Sequence, residues 1–342
     1  MTEKGVLELK AIVYEGPQTV NVQEKEMPAV KEGWALIKAS HAGICGTDLI
    51  IYGGTHPRAA APLIPGHEFS GTIVSGHPTL QPGTPVTVNP LLSCGTCPPC
   101  QSGQAHVCET LQLVGIDCDG GMGEYVQAPI DKIIPLPEGV SLKLGALMEP
   151  IAVGVHAVRQ AGFVPGDEAL VYGAGTIGLC VALSLKNLGA RRVVIVETNP
   201  DRIRKAEELG FTAIHSLTQD VKEVVSAETN GSGFDFVFDC AGHPAVASQV
   251  TEVVKVRGTV VIVASYKKPA ALQLQQGMFK ELSIRFVRVY THKDFEIAAE
   301  LVAKDPNFEK IITHVLPPVE AQKGFELLTT PSDAVKVMYH FE

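Results

Sequence analysis

Apolar and polar positions alternate with a short period through the first 150 residues. Ala11-Ile12-Val13-Tyr14 and Trp34-Ala35-Leu36-Ile37-Lys38 have the composition of strands, and turns follow at Gly16-Pro17 and Gly43. Residues 69–74, 85–88 and 125–128 continue the pattern, with frequent proline and glycine between them. No long helical period precedes Ser141. Near residue 150 the period changes. Residues 151–161 place apolar side chains at helical spacing, and Glu168-Ala169-Leu170-Val171-Tyr172 is a short apolar strand. An apolar helix over 177–188 ends at Gly189, a C-terminal signal. Val193-Val194-Ile195-Val196 is the next buried strand, and Asn199-Pro200 caps a helix running to Leu209. A strand over 234–238, a helix over 245–256 and a strand over 259–264 follow. Strands alternating with helices predict an α/β region with a parallel sheet covered on both faces. The last fifty residues mix helical spacing (294–303, 319–328) with strand-like alternation (334–340), and are expected to pack back on the N-terminal region.

At 342 residues the chain has material for two domains. An apolar fraction of 45% and a charged fraction of 19% are those of an ordinary globular protein. The net charge of −9 argues against a nucleic-acid surface, which needs clustered Lys and Arg. No apolar run reaches the roughly 18 residues of a membrane span. Met1-Thr2-Glu3-Lys4 lacks a basic segment followed by an apolar one, so no signal peptide is expected and a cytoplasmic location is.

Cysteine usage carries the first chemistry. Four of the eight cysteines crowd into residues 94–108, as Cys94-x2-Cys97-x2-Cys100-x7-Cys108, with Gly95, Pro98, Pro99 and Gly103 turning the loop. Four thiolates suit a closed tetrahedral zinc site of structural type, since a catalytic zinc keeps a position open. An iron–sulfur cluster takes the same ligands; an isolated loop in an otherwise ordinary β domain favours zinc. A second constellation joins Gly43-Ile44-Cys45-Gly46-Thr47-Asp48 to Gly66-His67-Glu68. A lone cysteine is usually a small core residue, but Gly43, Gly46 and Gly66 permit close backbone approach, and Asp48 is placed to orient the His67 ring. Glu149, in Met148-Glu149-Pro150, is a further carboxylate, either a ligand or reached through water. Three protein ligands and one open position make zinc a Lewis acid, and Thr47 is placed to take a proton.

Gly173-Ala174-Gly175-Thr176-Ile177-Gly178 follows a strand and opens a helix, the context in which a G-x-G-x-x-G turn binds a dinucleotide pyrophosphate. Glu197 ends the next strand, nineteen residues after Gly178. A carboxylate there accepts from a ribose 2′-hydroxyl and repels a 2′-phosphate, favouring NAD over NADP. Arg202 lies either against the adenine or on a solvated helix face.

With these three sites in one chain, the sequence resembles the zinc-dependent medium-chain dehydrogenases of the alcohol dehydrogenase superfamily. The resemblance runs over the whole chain, through Gly43–Asp48, Gly66–Glu68, the four-cysteine loop, Met148–Pro150, Gly173–Gly178 and Ile311-Ile312-Thr313-His314. It implies a β-rich, GroES-like catalytic domain (residues 1–152 and 291–342) and a Rossmann dinucleotide-binding domain (153–290), with hydride passing to nicotinamide in the cleft between them. It implies one catalytic zinc on Cys45, His67 and Glu68, with Glu149 exchangeable or water-mediated, and one structural zinc. Glu68 after His67, with Glu149 where simple alcohol dehydrogenases have cysteine, resembles the polyol and threonine dehydrogenase branch. Two positions depart from the family. Ile50 stands where a proton-relaying histidine is common, and Arg288-Val289-Tyr290-Thr291 stands where sorbitol dehydrogenases have Arg-Tyr-x-Asn, so Arg288 is retained while sorbitol itself is disfavoured. Arg288, Tyr52 and His56 are candidate substrate contacts. The expected reaction is NAD-dependent oxidation of a secondary alcohol of a polyol, sugar or sugar acid, with threonine or butanediol dehydrogenase as alternatives. A non-catalytic zinc protein that binds partners through the cysteine loop is the reading of another class. A dimer or tetramer is implied by resemblance alone.

Overall fold

A computed structural model describes residues 8–342. Met1–Lys4, read above for the lack of a leader, lie outside the described residues. The chain divides into two compact units, Met1–Glu149 with Ile312–Glu342, and Pro150–Ile311. The sequence reading set the breaks at 152/153 and 290/291. The helix His292–Lys304 instead belongs to the second unit, where Phe295, Ala298, Leu301 and Val302 are buried.

The first unit is built on a largely antiparallel sheet. Its strands run in the order Ile312–Leu316, Lys336–His340, Trp34–Gly43, Glu68–Ser75, Pro85–Val88 and Ile133–Pro135, and Tyr125–Pro129 also pairs with Trp34–Gly43. The C-terminal strand therefore lies between Ile312–Leu316 and the N-terminal strand Trp34–Gly43, pairing Met338 with Gly43 and His340 with His41. Glu8–Gly16 and Thr19–Glu26 form a separate hairpin. Helices in this unit are short, as the absence of a long helical period anticipates. Gly46–Tyr52 is one of them, and it starts immediately after the strand Trp34–Gly43.

The second unit holds a six-stranded, all-parallel sheet. Its order is Thr212–His215, Arg192–Glu197, Glu168–Tyr172, Phe234–Asp239, Val254–Ile262, Ser283–Phe286. Numbered along the chain this is 3-2-1-4-5-6, the order of dinucleotide-binding doubly wound sheets. Central strands bury both faces: Leu170, Val194, Val237 and Val260 are 0–1% exposed on one, and Val171, Ile195, Phe238 and Val261 are 0% exposed on the other. Fully burying such a side chain stabilises by about 1.5–3 kcal/mol. Asn199 caps the helix Pro200–Glu208 as its sequence predicts, its Oδ1 accepting from Asp201 and Arg202 amides at 2.8 and 3.3 Å. The helix expected over 245–256 is shorter. It ends at Val253, and Val254 begins the next strand. β-branched residues there satisfy either period, and pairing with Phe234 wins. No helix of the described residues is long and apolar enough to cross a membrane.

Candidate active site

The first site grows from a helix start. Cys45 is the N-cap of Gly46–Tyr52, and Asp48, at its third position, closes a capping box by accepting the Cys45 amide at 2.8 Å. That turn aims the Cys45 thiol off the helix N-terminus and holds the Thr47 hydroxyl 3.9 Å from it. Opposite lie His67 and Glu68, at the entry to the strand Glu68–Ser75 that pairs with Trp34–Gly43 through Gly43 and Glu68. Ligand atoms of Cys45, His67 and Glu68 all lie within 4.8 Å of one another. A Cβ at Gly43 would strike the Glu68 carboxylate, so any larger residue there would displace it.

The residues fit a zinc ion. Asp48 Oδ1 and His67 Nδ1 are buried, lack hydrogen-bond partners, and face each other at 3.7 Å, too long for a bond. A slight ring rotation closes that gap and leaves Nε2 to ligate, which is how carboxylates orient metal-binding histidines. Burial by itself lowers the His67 pKa, but Asp48, Cys45 and Glu149 raise it well above the ordinary value. The same negative field favours a dication where the three ligand atoms converge. Glu149 is outside the close cluster yet near enough to act on both His67 and Lys336.

The four-cysteine loop closes on itself. Sγ atoms of Cys94, Cys97, Cys100 and Cys108 lie within 4.8 Å of one another, with no disulfide among the described residues. Amides of Thr96 and Cys97 donate to Cys94 Sγ at 3.5 and 3.4 Å, and the Cys94 amide donates to Cys108 Sγ at 3.3 Å. The Thr96 hydroxyl and these amides pull the Cys94 thiol down to about 5, whereas burial and the Cys97 thiol push Cys100 up to about 12. A metal that binds thiolate relieves that crowding.

The glycine turn sits between Glu168–Tyr172 and the helix Thr176–Asn187, whose N-cap is Gly175. A side chain at Gly178 would collide with the Gly173 carbonyl, so the tight turn needs glycine there. Thr176 and Ile177 occupy the first helical turn, and a helix N-terminus suits an anion. Glu197 is nearly buried, and binds the turn together: it accepts from the amides of Ala174 (2.7 Å), Thr198 (2.6 Å) and Asn199 (3.0 Å). Although burial opposes it, those donors hold its carboxyl below the usual value. The Arg202 guanidinium lies beside Gly175.

The three substrate candidates separate. Tyr52 turns inward: its ring stacks on Phe325 at 5.0 Å and its hydroxyl accepts from Gln322 Nε2 at 2.7 Å. His56 Nδ1 accepts the Arg58 and Ala59 amides at 3.3 and 3.1 Å, which fixes its proton on Nε2. Its pKa is lowered by burial and by Arg58. Arg288 is exposed and makes no ion pair or hydrogen bond among the described residues.

Comparison with known proteins matches residues 31–138 to the alcohol dehydrogenase GroES-like domain and residues 176–304 to the zinc-binding dehydrogenase domain. The chain is 34% identical to the 2-dehydro-3-deoxy-L-galactonate 5-dehydrogenase of Pseudoalteromonas atlantica, over 92% of this chain and 94% of that protein. The chain belongs to the zinc-dependent medium-chain dehydrogenases. The L-galactonate-5-dehydrogenase of Escherichia coli is 33% identical to this dehydrogenase over 90% of its chain and 92% of the relative. An alcohol dehydrogenase from Escherichia coli CFT073, solved with NADH, superposes with a TM-score of 0.89 at 30% identity, covering 98% and 99% of the two chains.

One residue of the dehydrogenase escaped the sequence reading. Lys336, 1% exposed, places its ammonium against the Glu68 carboxylate and 2.9 Å from the Ile44 carbonyl oxygen. Burial disfavours its charge, but Glu68 and Cys45 prevail and raise its pKa. The signal was present: a lysine at an inward position of the apolar strand Lys336–His340. Replacing Lys336 with Met strands a buried carboxylate, and chemical denaturation is expected to show a loss of about 3–5 kcal/mol. Adding Glu68→Gln to Lys336→Met is expected to recover most of that loss. A Lys336→Met single variant as stable as the parent contradicts the pairing.

Proposed function

We propose that this dehydrogenase oxidises a secondary alcohol of a sugar acid, or of a related polyol or sugar, to the ketone with NAD as the hydride acceptor. The convergence of Cys45, His67 and Glu68 beside the Thr47 hydroxyl carries this reading. Those three residues, with Glu149 exchangeable, would hold a zinc ion, which would supply Lewis-acid polarisation of the substrate oxygen. Thr47 takes the hydroxyl proton and passes it to solvent, since Ile50 provides no relay. Asp48 orients His67, and Lys336 fixes Glu68. In the balanced reaction the carbinol carbon gives a hydride to NAD and its hydroxyl gives a proton to water. Glu197, anionic and close to the glycine turn, meets a ribose hydroxyl and repels a 2′-phosphate, which supports NAD over NADP. Gly173, Gly175 and Gly178, with the amides of Thr176 and Ile177, hold the pyrophosphate, and Arg202 flanks the adenosine. A second zinc on Cys94, Cys97, Cys100 and Cys108 is structural. Arg288, exposed and unpaired, anchors an anionic group of the substrate, and His56 offers a neutral Nε2–H to a hydroxyl. The galactonate names of its relatives support a sugar acid.

The test is NAD reduction across aldonates, polyols, L-threonine and 2,3-butanediol, repeated with NADP. Turnover of an aldonate or polyol with NAD is expected, together with loss of most turnover in Thr47→Val at unchanged NAD binding. Turnover confined to threonine or butanediol replaces the substrate class, and near-parental kcat in Thr47→Val removes the proton role.

We infer a homo-oligomer, a dimer or tetramer, acting in the cytoplasm. Leu274, Met278 and Phe279, on the helix Leu274–Phe279, and Phe286, at the end of the edge strand Ser283–Phe286, are among the most exposed large apolar side chains (67–76%). An open apolar edge invites pairing with a second copy. Light scattering is expected to give a mass above that of one chain, reduced in Phe286→Glu; a monomeric parent contradicts the inference.

A further inference from the structure

Val289 is an outlier that the fold maintains. Its φ is +47°, in the left-handed region, which a β-branched side chain almost never enters. Such strain persists only where the surroundings over-determine it, and it clusters at functional sites. Val289 lies in the turn leaving the carboxyl end of the edge strand Ser283–Phe286, next to the unpaired Arg288. In open parallel sheets that end is where ligands bind.

The residues following it explain what holds it. Tyr290 is fully buried, its ring edge-on to Phe295 at 5.2 Å. Thr291 caps the helix His292–Lys304 through a capping box with Asp294. Asp294 Oδ2 accepts the Thr291 amide at 2.7 Å and the Thr291 hydroxyl at 2.6 Å. A capping box requires no more than this. Yet the same carboxylate, 0% exposed, also receives His156 Nδ1 at 2.7 Å and the Arg159 guanidinium. His156 and Arg159 stand three residues apart on one face of the helix Met148–Ala161. Burial would raise the Asp294 pKa, but His156, Thr291 and Arg159 hold it well below the usual carboxylate range. One carboxylate thus joins two helices at the point where the strained turn ends.

We propose that Asp294 is a positioning residue, whose bonds to Thr291, His156 and Arg159 hold Val289 in the left-handed region and so aim Arg288 as a fixed cation for the carboxylate of a sugar acid. If Val289 relaxed to a negative φ, the direction of Arg288 would change, and with it the geometry of a guanidinium–carboxylate pair. The proposal rests on the reading of Arg288 as the anchor of an anionic substrate group.

The test uses the full-length, zinc-loaded enzyme and two readouts. In Asp294→Asn, hydrogen exchange over 287–291 is expected to accelerate at least about tenfold while the central strands keep their protection. The ratio of kcat/KM for an aldonate to that for its neutral polyol is expected to fall about tenfold, mostly in KM, the loss of one charge-assisted hydrogen bond. Adding Val289→Gly is expected to restore part of that ratio, because glycine takes the left-handed conformation without strain. A purely structural defect would not be repaired by that change. Arg159→Gln, which removes one half-exposed donor, is expected to move both readouts in the same direction by a smaller factor, and it serves if Asp294→Asn fails to fold. Unchanged exchange in these variants overturns the positioning role. Faster exchange with an unaltered aldonate-to-polyol ratio, matched by an unaltered ratio in Arg288→Gln, overturns the Arg288 anchor and leaves the clamp standing.

Discussion

Buried negative charge is the constraint on which the first unit depends. Asp48, Glu68 and Glu149 are 0%, 1% and 6% exposed, and the Cys45 thiol joins them. An ionised carboxylate taken from water costs several kcal/mol unless it is paired or ligated. Lys336 is the one buried lysine or arginine among the described residues, and it is spent on Glu68. Asp48 satisfies one oxygen at a helix N-cap and leaves the other facing His67. The remaining imbalance is what a dication corrects, and a ligand set of thiolate, imidazole and carboxylate with an open position is suited to zinc used as a Lewis acid. The C-terminal strand pairs with Trp34–Gly43, and that pairing brings Lys336 to Glu68 across 268 residues of chain.

The second unit treats its buried acids differently. Glu197 and Asp239 end adjacent regions of the parallel sheet and are satisfied by neutral donors. Glu197 takes three amides, while Asp239 takes the amides of Ala241 and Gly242 at 3.0 Å and the Tyr266 hydroxyl. Each orders a loop at the carboxyl end of a strand, where a dinucleotide lies in such sheets. Asp294 combines both solutions, with backbone, hydroxyl, imidazole and guanidinium donors on one carboxylate. The second unit therefore bonds its buried carboxylates mainly through loop donors, and the first pairs Glu68 with a buried lysine.

Most of the fold was legible because buried parallel strands such as Leu170–Tyr172 are short apolar runs between glycine-punctuated helices. What escaped was short and exposed. Thr212–His215 and Ser283–Phe286 each bury little of their length, so no apolar period marks them. The helix Pro244–Val253 was overextended because Val253, Val254 and Val256 suit either period, and only the register with Phe234 decides. At the candidate sites, the clustering of Cys45 with His67 and Glu68, that of the four cysteines, and the glycine turn after Tyr172 were legible from short fixed spacings. Tyr52 and Lys336 were not. A tyrosine on a short helix gives no hint that Gln322 and Phe325 occupy its hydroxyl and ring, and a lysine's partner 268 residues away cannot be read from local pattern.

The central claim, that Cys45, His67 and Glu68 form a metal centre distinct from the cysteine loop, is tested most directly by metal content. Atomic spectroscopy on the purified full-length protein is expected to find about two zinc ions per chain, one for each ligand set of the types that hold zinc. A Cys45→Ser variant is expected to lose one ion and keep the other, whereas Cys100→Ser loses the cysteine-loop ion and unfolds at lower temperature. One zinc ion per parental chain, retained in full by Cys45→Ser, would contradict the account.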